Sequence, residues 1–273
     1  TKMQGKPLAF LDTAASAQKP RAVIDAMTRV AESGYSNIHR GLYEISQNLT
    51  LAFEAVRNRV ARFINAPSEC VIFTRNATEA INLVAHSWGG TYLQDGDEVI
   101  LTAMEHHANI VPWQILQAEK GFEIRWINVD ETGQLDLSDL DRLLDGAKIV
   151  GLSAMSNVLG TLTPVRRITD AAHAAGALVT VDACQYVPHL ATDLAAMGVD
   201  FAAFSGHKMC GPTGIGALWA RAQILEAMPP WHGGGAMIDR VTFARTTYAP
   251  PPQRFEAGTP AIVEAIALGA AVD

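Results

Sequence analysis

An α/β fold, a mostly parallel sheet flanked by helices, is the class this sequence predicts, and three observations carry it. Short β-rich runs alternate with longer helical segments along most of the chain. Several of the short runs are nearly continuous in apolar residues, as strands are when both faces of a parallel sheet are covered. The chain has 273 residues, 49% of them hydrophobic. That is enough to bury a sizeable core, as one large domain or two small ones.

The elements follow in order. Pro20 suits the first turn of a helix over 21–32. Leu49, Phe53, Val56, Val60 and the pair Phe63-Ile64 form one apolar stripe, which predicts a second helix. Strand 71–74 leads into Arg75-Asn76-Ala77-Thr78-Glu79, an Asn-x-x-Glu pattern like a capping box, opening a helix over 78–88. Strands are then expected at 98–102, 124–129, 148–154, 178–184, 201–204 and 214–220. Helices over 110–120, 137–144, 165–175 and 190–197 fall among them. From Met228 to Pro260 the chain is rich in Pro and Gly and reads as long ordered loops. It ends at Ala271-Val272-Asp273, within an apolar helical run that carries no stop signal.

Composition excludes several classes. Acidic residues outnumber basic ones, 28 to 21, for a net charge of −7, which argues against nucleic acid or an anionic membrane as partner. No apolar run is long enough to span a bilayer, and no basic, apolar leader is seen. Cys70, Cys184 and Cys210 are scattered without CxxC or metal-ligand spacing, as thiols in a reducing cytoplasm would be. Patterns for a P-loop, G-x-G-x-x-G, H-E-x-x-H and G-x-S-x-G are all lacking.

The chemistry gathers at strand ends, where α/β sheets collect ligands. Between two apolar strands stands Ser205-Gly206-His207-Lys208-Met209-Cys210-Gly211-Pro212-Thr213-Gly214. A lysine at a buried strand end is suited to form a Schiff base and carry protons. Ser205 and His207 offer hydrogen-bond donors on either side, as a phosphate would need. The helix start at Asn76 and Thr78 could bind phosphate through free N–H groups and the dipole, or be an ordinary cap. After strand 98–102 come Glu105-His106-His107-Ala108-Asn109. Adjacent histidines do not share a face, so a joint metal site is disfavoured; one imidazole could lie on an aromatic ring, or both belong to a polar loop. Asp182 lies in an otherwise apolar strand and needs a partner there: a pyridinium N–H, the backbone or an arginine. Asn157, closing another strand end, could offer an amide to a ring hydroxyl. A phosphate cradle, a stacking imidazole, a ring-nitrogen carboxylate and a Schiff-base lysine together describe pyridoxal 5'-phosphate.

With these residues in view the chain resembles the Suf-type (group II) cysteine desulfurases, in the class V aminotransferase family of fold type I enzymes. The resemblance runs from Phe10-Leu11-Asp12-Thr13-Ala14-Ala15 to the last residue. It includes Asn37-Ile38-His39-Arg40-Gly41, Glu105-His106-His107-Ala108-Asn109-Ile110-Val111-Pro112-Trp113, Ser156-Asn157-Val158-Leu159-Gly160, 205–216 and Arg254-Phe255-Glu256-Ala257-Gly258-Thr259-Pro260. It implies that 1–273 is the pyridoxal-phosphate-binding large domain, the extreme N-terminal segment packing with a C-terminal small domain that is missing here. It makes Lys208 the lysine that bonds the cofactor, Asp182 the partner of its ring nitrogen and His106 the ring that stacks on it. Asn157 and Gln185 would lie by the ring hydroxyl. Thr78, Ser205 and His207 would hold the phosphate, with Thr259 joining from the other subunit of a homodimer. His39 and Arg40 would sit at the entrance the two subunits share.

Two departures are small: Ala183-Cys184 where the family has Gly-Ala, and Ala77 where it has the first of two threonines. A third is larger. The family's nucleophilic cysteine and its carboxylate-binding arginine belong to the small domain. The implied reaction takes L-cysteine to L-alanine, leaves a persulfide on the enzyme and hands the sulfur to an acceptor protein for iron-sulfur cluster assembly. A selenocysteine lyase acting on L-selenocysteine, a class V transaminase, or a cofactor-free scaffold fragment are the competing expectations.

Overall fold

The computed structural model describes residues 2–273. A short ladder of β1 (Lys2–Met3) with β2 (Lys6–Pro7) precedes α1 (Arg21–Ser33) and α2 (Glu44–Phe63). Next come β3 (Val71–Thr74), α3 (Ala77–Leu83), α4 (Gly90–Tyr92), β4 (Glu98–Thr102), α5 (Val111–Lys120), β5 (Glu123–Ile127), α6 (Leu140–Leu144) and β6 (Ala147–Ser153). Then follow α7 (Val165–Ala174), β7 (Leu178–Asp182), α8 (Leu194–Met197), β8 (Phe201–Ser205), β9 (Gly216–Ala220) and α9 (Ala222–Ala227). The hairpin β10 (Ile238–Val241) and β11 (Thr246–Tyr248) and the helix α10 (Ile262–Val272) complete the chain.

All seven expected strands form, and they make one sheet in the order β3-β9-β8-β7-β6-β4-β5. Its pairings are parallel except that β9 runs antiparallel to both β3 and β8. The carboxyl ends of β3, β4, β6, β7 and β8 therefore meet along one edge, and five strand-end loops converge there. Strands β3, β8 and β9 are buried at every residue, which is why they read as unbroken apolar runs. Edge strand β5 is half-exposed along most of its length.

Several boundaries differ from expectation, and local hydrogen bonds explain them. Strand β7 stops at Asp182, not Cys184, because Asp182 Oδ1 accepts the Cys184 N–H at 2.9 Å and turns the chain. Helix α6 starts at Leu140 after Asp136 Oδ1 has taken the N–H and hydroxyl of Ser138. Helix α8 covers only Leu194–Met197, capped by Asp193 on the Ala196 N–H, while Leu190 belongs to the turns before it. The helix expected over 78–88 starts at Ala77 and widens into a π-helical stretch at Val84–Gly89. Along α2 the apolar stripe is buried as expected, but Ile64 completes it and Phe63 turns outward.

The region expected to be all loop contains the β10–β11 hairpin. Its residues are half or fully exposed. A strand with no buried face shows no hydrophobic alternation to read. Helix α10 packs on α1 and α2. Its Gly269 stands where a Cβ would come within 2.6 Å of Val56, so the glycine permits the close approach of α10 to α2. No described helix is long and apolar enough to cross a membrane.

Candidate active site

At the carboxyl edge of the sheet lies a cavity of about 510 Å³, and the loops after β3, β4, β6, β7 and β8 all reach it. Seven of the residues singled out by sequence line it: Thr78, His106, Asn157, Asp182, Ser205, His207 and Lys208.

Lys208 ends a single turn of 3-10 helix, Gly206–Lys208, that follows β8 directly. The turn is tight: a Cβ on Gly206 would stand 2.9 Å from the Ile215 carbonyl, and the Gly206 carbonyl accepts the Gly211 N–H. Sequence placed this lysine at a buried strand end. It is half-buried instead, because the turn lifts it from the buried Ser205 into the cavity. Among the described residues its ammonium has no hydrogen-bond or ion-pair partner. Asp182, at the end of β7, is 5% exposed. The Cys184 N–H donates to it at 2.9 Å, and no described lysine or arginine pairs with it. A buried carboxylate without a cation is costly, so the site is built for a ligand that brings a positive or N–H group.

His106 Nδ1 accepts the Ala108 N–H at 3.1 Å, which leaves the ring proton on Nε2 and fixes the ring's direction. Burial lowers its pKa; the Asp182 charge opposes that and Lys208 and His107 reinforce it, so the imidazole is neutral. His207 is likewise pushed down by burial and by Lys208 and Lys19. No described cluster of three or more His, Cys, Asp or Glu has metal-binding geometry.

The phosphate cradle is partly spoken for. Asn76 Oδ1 caps α3 by accepting the Glu79 N–H at 2.9 Å. Glu79 does not return to Asn76, as a capping box would, but accepts the Arg75 N–H. Ser205 Oγ accepts the Ala77 N–H at 2.9 Å, so the buried Ala77 leaves the serine in contact with the helix start. The Thr78 hydroxyl and the Ser205 O–H remain to face the cavity. Gly216, at the start of β9, closes this corner: a Cβ there would lie 2.7 Å from both Asn76 Cα and the Phe204 carbonyl oxygen. Gly216→Ala should cost on the order of 1–3 kcal/mol by overpacking against backbone, checked by denaturant titration. A loss below about 0.5 kcal/mol would show that the corner can yield.

Four expected residues stand elsewhere. Gln185 is buried behind the wall, its Nε2 donating to the Ala14 carbonyl at 2.7 Å. Thr259 lines a separate hollow of about 270 Å³ together with His39 and Arg40. His39 Nε2 contacts Glu54 Oε1 at 3.0 Å.

Residue-by-residue reading missed the N-terminal strap. Asp12, Ala14 and Ala15 line the cavity. The strap is tied to the lysine turn by Ala17 N–H to the His207 carbonyl at 2.9 Å, with Ser16 Oγ and Lys19 Nζ each 3.4 Å from the same oxygen. Nothing in the composition of 12–19 signals this; the only pointer was the resemblance beginning at Phe10. Two of the three thiols are poor nucleophiles. Cys184 is buried, and burial and Asp182 raise its pKa well above the usual range; Cys70 is buried and raised too.

The residues fit pyridoxal phosphate: an unpaired ammonium, a buried carboxylate without a cation and a helix start face one cavity of adequate size.

Comparison with known proteins agrees. The aminotransferase class-V family matches residues 9–273. A probable cysteine desulfurase from Synechocystis sp. is 52% identical over 274 residues, covering 99% of this chain and 65% of the relative. The cysteine desulfurase of Dickeya dadantii is 51% identical over 274 residues, covering 99% and 66%. The solved cysteine desulfurase CsdA from Escherichia coli, in an S-sulfonic acid form, matches with a TM-score of 0.90 at 40% identity, covering 96% of this chain and 66% of that one. The apo cysteine desulfurase of Thermococcus onnurineus NA1 gives 0.92 at 38% identity, covering 96% and 65%. The chain thus spans about two thirds of the length of the curated relatives it matches. Matched from residue 9 onward, and sharing its fold with these solved enzymes, the chain belongs to the class-V aminotransferase family.

Proposed function

We propose that this chain is the cofactor-binding part of a pyridoxal 5'-phosphate-dependent cysteine desulfurase of the Suf type. One observation carries the reading: the unpartnered Lys208 ammonium and the buried, cation-free Asp182 carboxylate face the same cavity. Relatives named cysteine desulfurase at about 50% identity support the choice of reaction.

When bound, the cofactor supplies an aldehyde that bonds amines and a ring that accepts electron density from the substrate's Cα. Lys208 Nζ would hold that aldehyde and, as a free amine, would move the Cα proton of L-cysteine. Asp182 keeps a proton on the ring nitrogen. His106, its Nδ1 tied to Ala108, presents a neutral ring to the cofactor's face. Asn157, on the cavity wall, would offer its amide to the ring hydroxyl, with Gln185 buried behind the wall. Thr78, Ser205 and His207 bind the phosphate, and Thr259 of a second copy completes that cradle in a homodimer. His39 and Arg40, beside Thr259 in this chain, serve the shared entrance.

The sulfur balance requires a thiol: L-cysteine and an enzyme R–SH give L-alanine and R–S–SH, the C–S bond breaking as the S–S bond forms. Cys70 and Cys184 are buried with raised pKa values, and Cys210 is half-buried in the lysine turn. The accepting thiol therefore belongs to the third of the relatives' length that this chain does not span, and a sulfur-acceptor protein takes the persulfide onward.

Borohydride reduction followed by peptide mass analysis tests the reading. A phosphopyridoxyl group on the Lys208 peptide, and alanine formed from L-cysteine by the full-length protein, are expected. No adduct after incubation with pyridoxal phosphate would sink it. Asp182→Asn should keep the adduct while alanine formation falls on the order of 10²–10³-fold, the usual scale for losing one preorganised charge. An unimpaired variant would remove Asp182 from the chemistry.

A further inference from the structure

Glu105 sits directly before His106, yet its side chain points away from the cavity into the protein, where it is 9% exposed. Four donors surround it. Thr102 Oγ1 and the Ser153 N–H reach Oε1 at 2.5 and 2.8 Å. Asn109 Nδ2 and Ser153 Oγ reach Oε2, each at 2.8 Å. Thr102 ends β4, Ser153 ends β6, and Asn109 closes the turn that presents His106. Asn109 is itself fully buried, and its Oδ1 faces Trp113 Nε1 at 3.5 Å, which fixes the amide's direction. Ser153 is the register partner of Asp182 across β6 and β7, and the Ala154 N–H donates to the Asp182 carbonyl.

We propose that Glu105 is a positioning residue for the cofactor: by clamping the ends of β4 and β6 it sets the turn carrying His106 and the strand end carrying Asp182. The role rests on the reading that these two groups meet the cofactor ring. A single carboxylate thus couples the ring's face contact to its nitrogen contact without touching the cofactor.

Its charge state gives the clamp a signature. Burial raises the Glu105 pKa to about 7, even though hydrogen bonds from Thr102, Asn109 and Ser153 pull the other way. The groups bonded to it from β4, the turn and β6 are all neutral. The nearest titratable groups are His106 and His107 on its own turn and Asp182 at the end of β7, while Glu98 begins β4 and Lys148 lies near the start of β6, at the far ends of those strands; none is bonded to it. Below pH 7 the group is a neutral acid, with one proton to give and fewer bonds to accept. Above pH 7 it is a carboxylate holding all four donors, and the clamp is tightest.

Glu105→Gln keeps the shape and removes the charge, so the variant should differ from the parent mainly at high pH. The measurement is the dissociation constant for pyridoxal phosphate, with the visible circular dichroism of the bound cofactor, at pH 6 and pH 8 in the full-length protein. Comparing variant with parent at each pH cancels the titration of His106, His207 and the phosphate. We expect affinity to fall about tenfold at pH 8, with altered dichroism, and less than about twofold at pH 6. Equal ratios at the two pH values, or no change at either, would overturn the proposal. If Glu105→Gln does not fold, Ser153→Ala removes one donor only and should weaken binding about threefold at pH 8; unchanged affinity and dichroism in that variant would overturn it equally. A parent protein that binds no pyridoxal phosphate defeats the functional reading and this inference with it, whereas a parent that binds beside an indifferent variant defeats this inference alone.

Discussion

Lys208→Ala should abolish the borohydride-stable cofactor adduct and, in the full-length protein, lower alanine formation from L-cysteine on the order of 10⁴-fold, because in the proposed function one amine performs both bonding and proton transfer. Neighbouring groups cannot substitute for it. Lys19 Nζ is held at 2.5 Å by the Ala17 carbonyl and also contacts the His207 carbonyl. It serves the strap and is absent from the cavity lining. The fold should survive, since Lys208 makes no hydrogen bond or ion pair among the described residues. Far-UV circular dichroism like the parent's, together with loss of the adduct, is the expected pair of results. An adduct that moves to another lysine with activity retained would mean that the turn after β8 is not the reactive centre.

Arg57→Met should be strongly destabilising. The guanidinium is 3% exposed and donates to Glu256 at 2.6 and 2.9 Å, to Glu54 Oε2 at 2.8 Å and to the Val71 carbonyl at 2.8 Å. It also lies over the rings of Phe53 and Phe73. Removing it leaves the mostly buried Glu256 carboxylate without its cation, a change that costs about 3–5 kcal/mol. Urea denaturation measures it, and a loss below about 1 kcal/mol would refute the assignment.

The pH dependence adds a second check. Burial pushes the Glu54 carboxyl up, but hydrogen bonds from His39 and Arg57 and the Arg57 charge outweigh it and hold the pKa at about 2. A carboxyl depressed in the folded state contributes stability above its unfolded pKa and loses it as pH falls through the folded one. The gap between parent and variant should therefore narrow between about pH 4.5 and pH 2. Glu256 also accepts the Phe73 N–H, so the network anchors the segment bearing Thr259 to α2 and β3. Loss of Arg57 should loosen that segment first, visible as faster amide exchange at 254–260.

The sheet was legible because its strands are buried on both faces, so that Val71–Thr74 and Phe201–Ser205 announce themselves without alternation. The β10–β11 hairpin was not, because it buries no face. Helix starts after Asp136 and Asp193 were misplaced for a local reason: side-chain oxygens took backbone N–H groups that the apolar spacing assigned to a helix. Within the site, residue chemistry singled out Lys208, Asp182 and His106, which the structure gathers on one cavity, since a lysine in a glycine-rich turn and an aspartate in an apolar strand are unusual placements. It said nothing of Ser16, Lys19 or Glu105.

The sequence by itself determined the α/β class, the strands and the chemical types that gather at their ends, because burial periodicity and isolated polar residues are local properties of the chain. Only the tertiary structure decided which of those residues share a cavity. It put Thr78, His106, Asp182 and Lys208 around one cavity, and set Thr259 with His39 and Arg40 in another hollow. It alone showed that the Glu105 carboxylate joins β4 to β6. The physical reason is strand order: β9 stands between β3 and β8, and β6 lies between β7 and β4. Contacts between residues 50 to 190 positions apart are fixed by that pairing, and no local pattern encodes them.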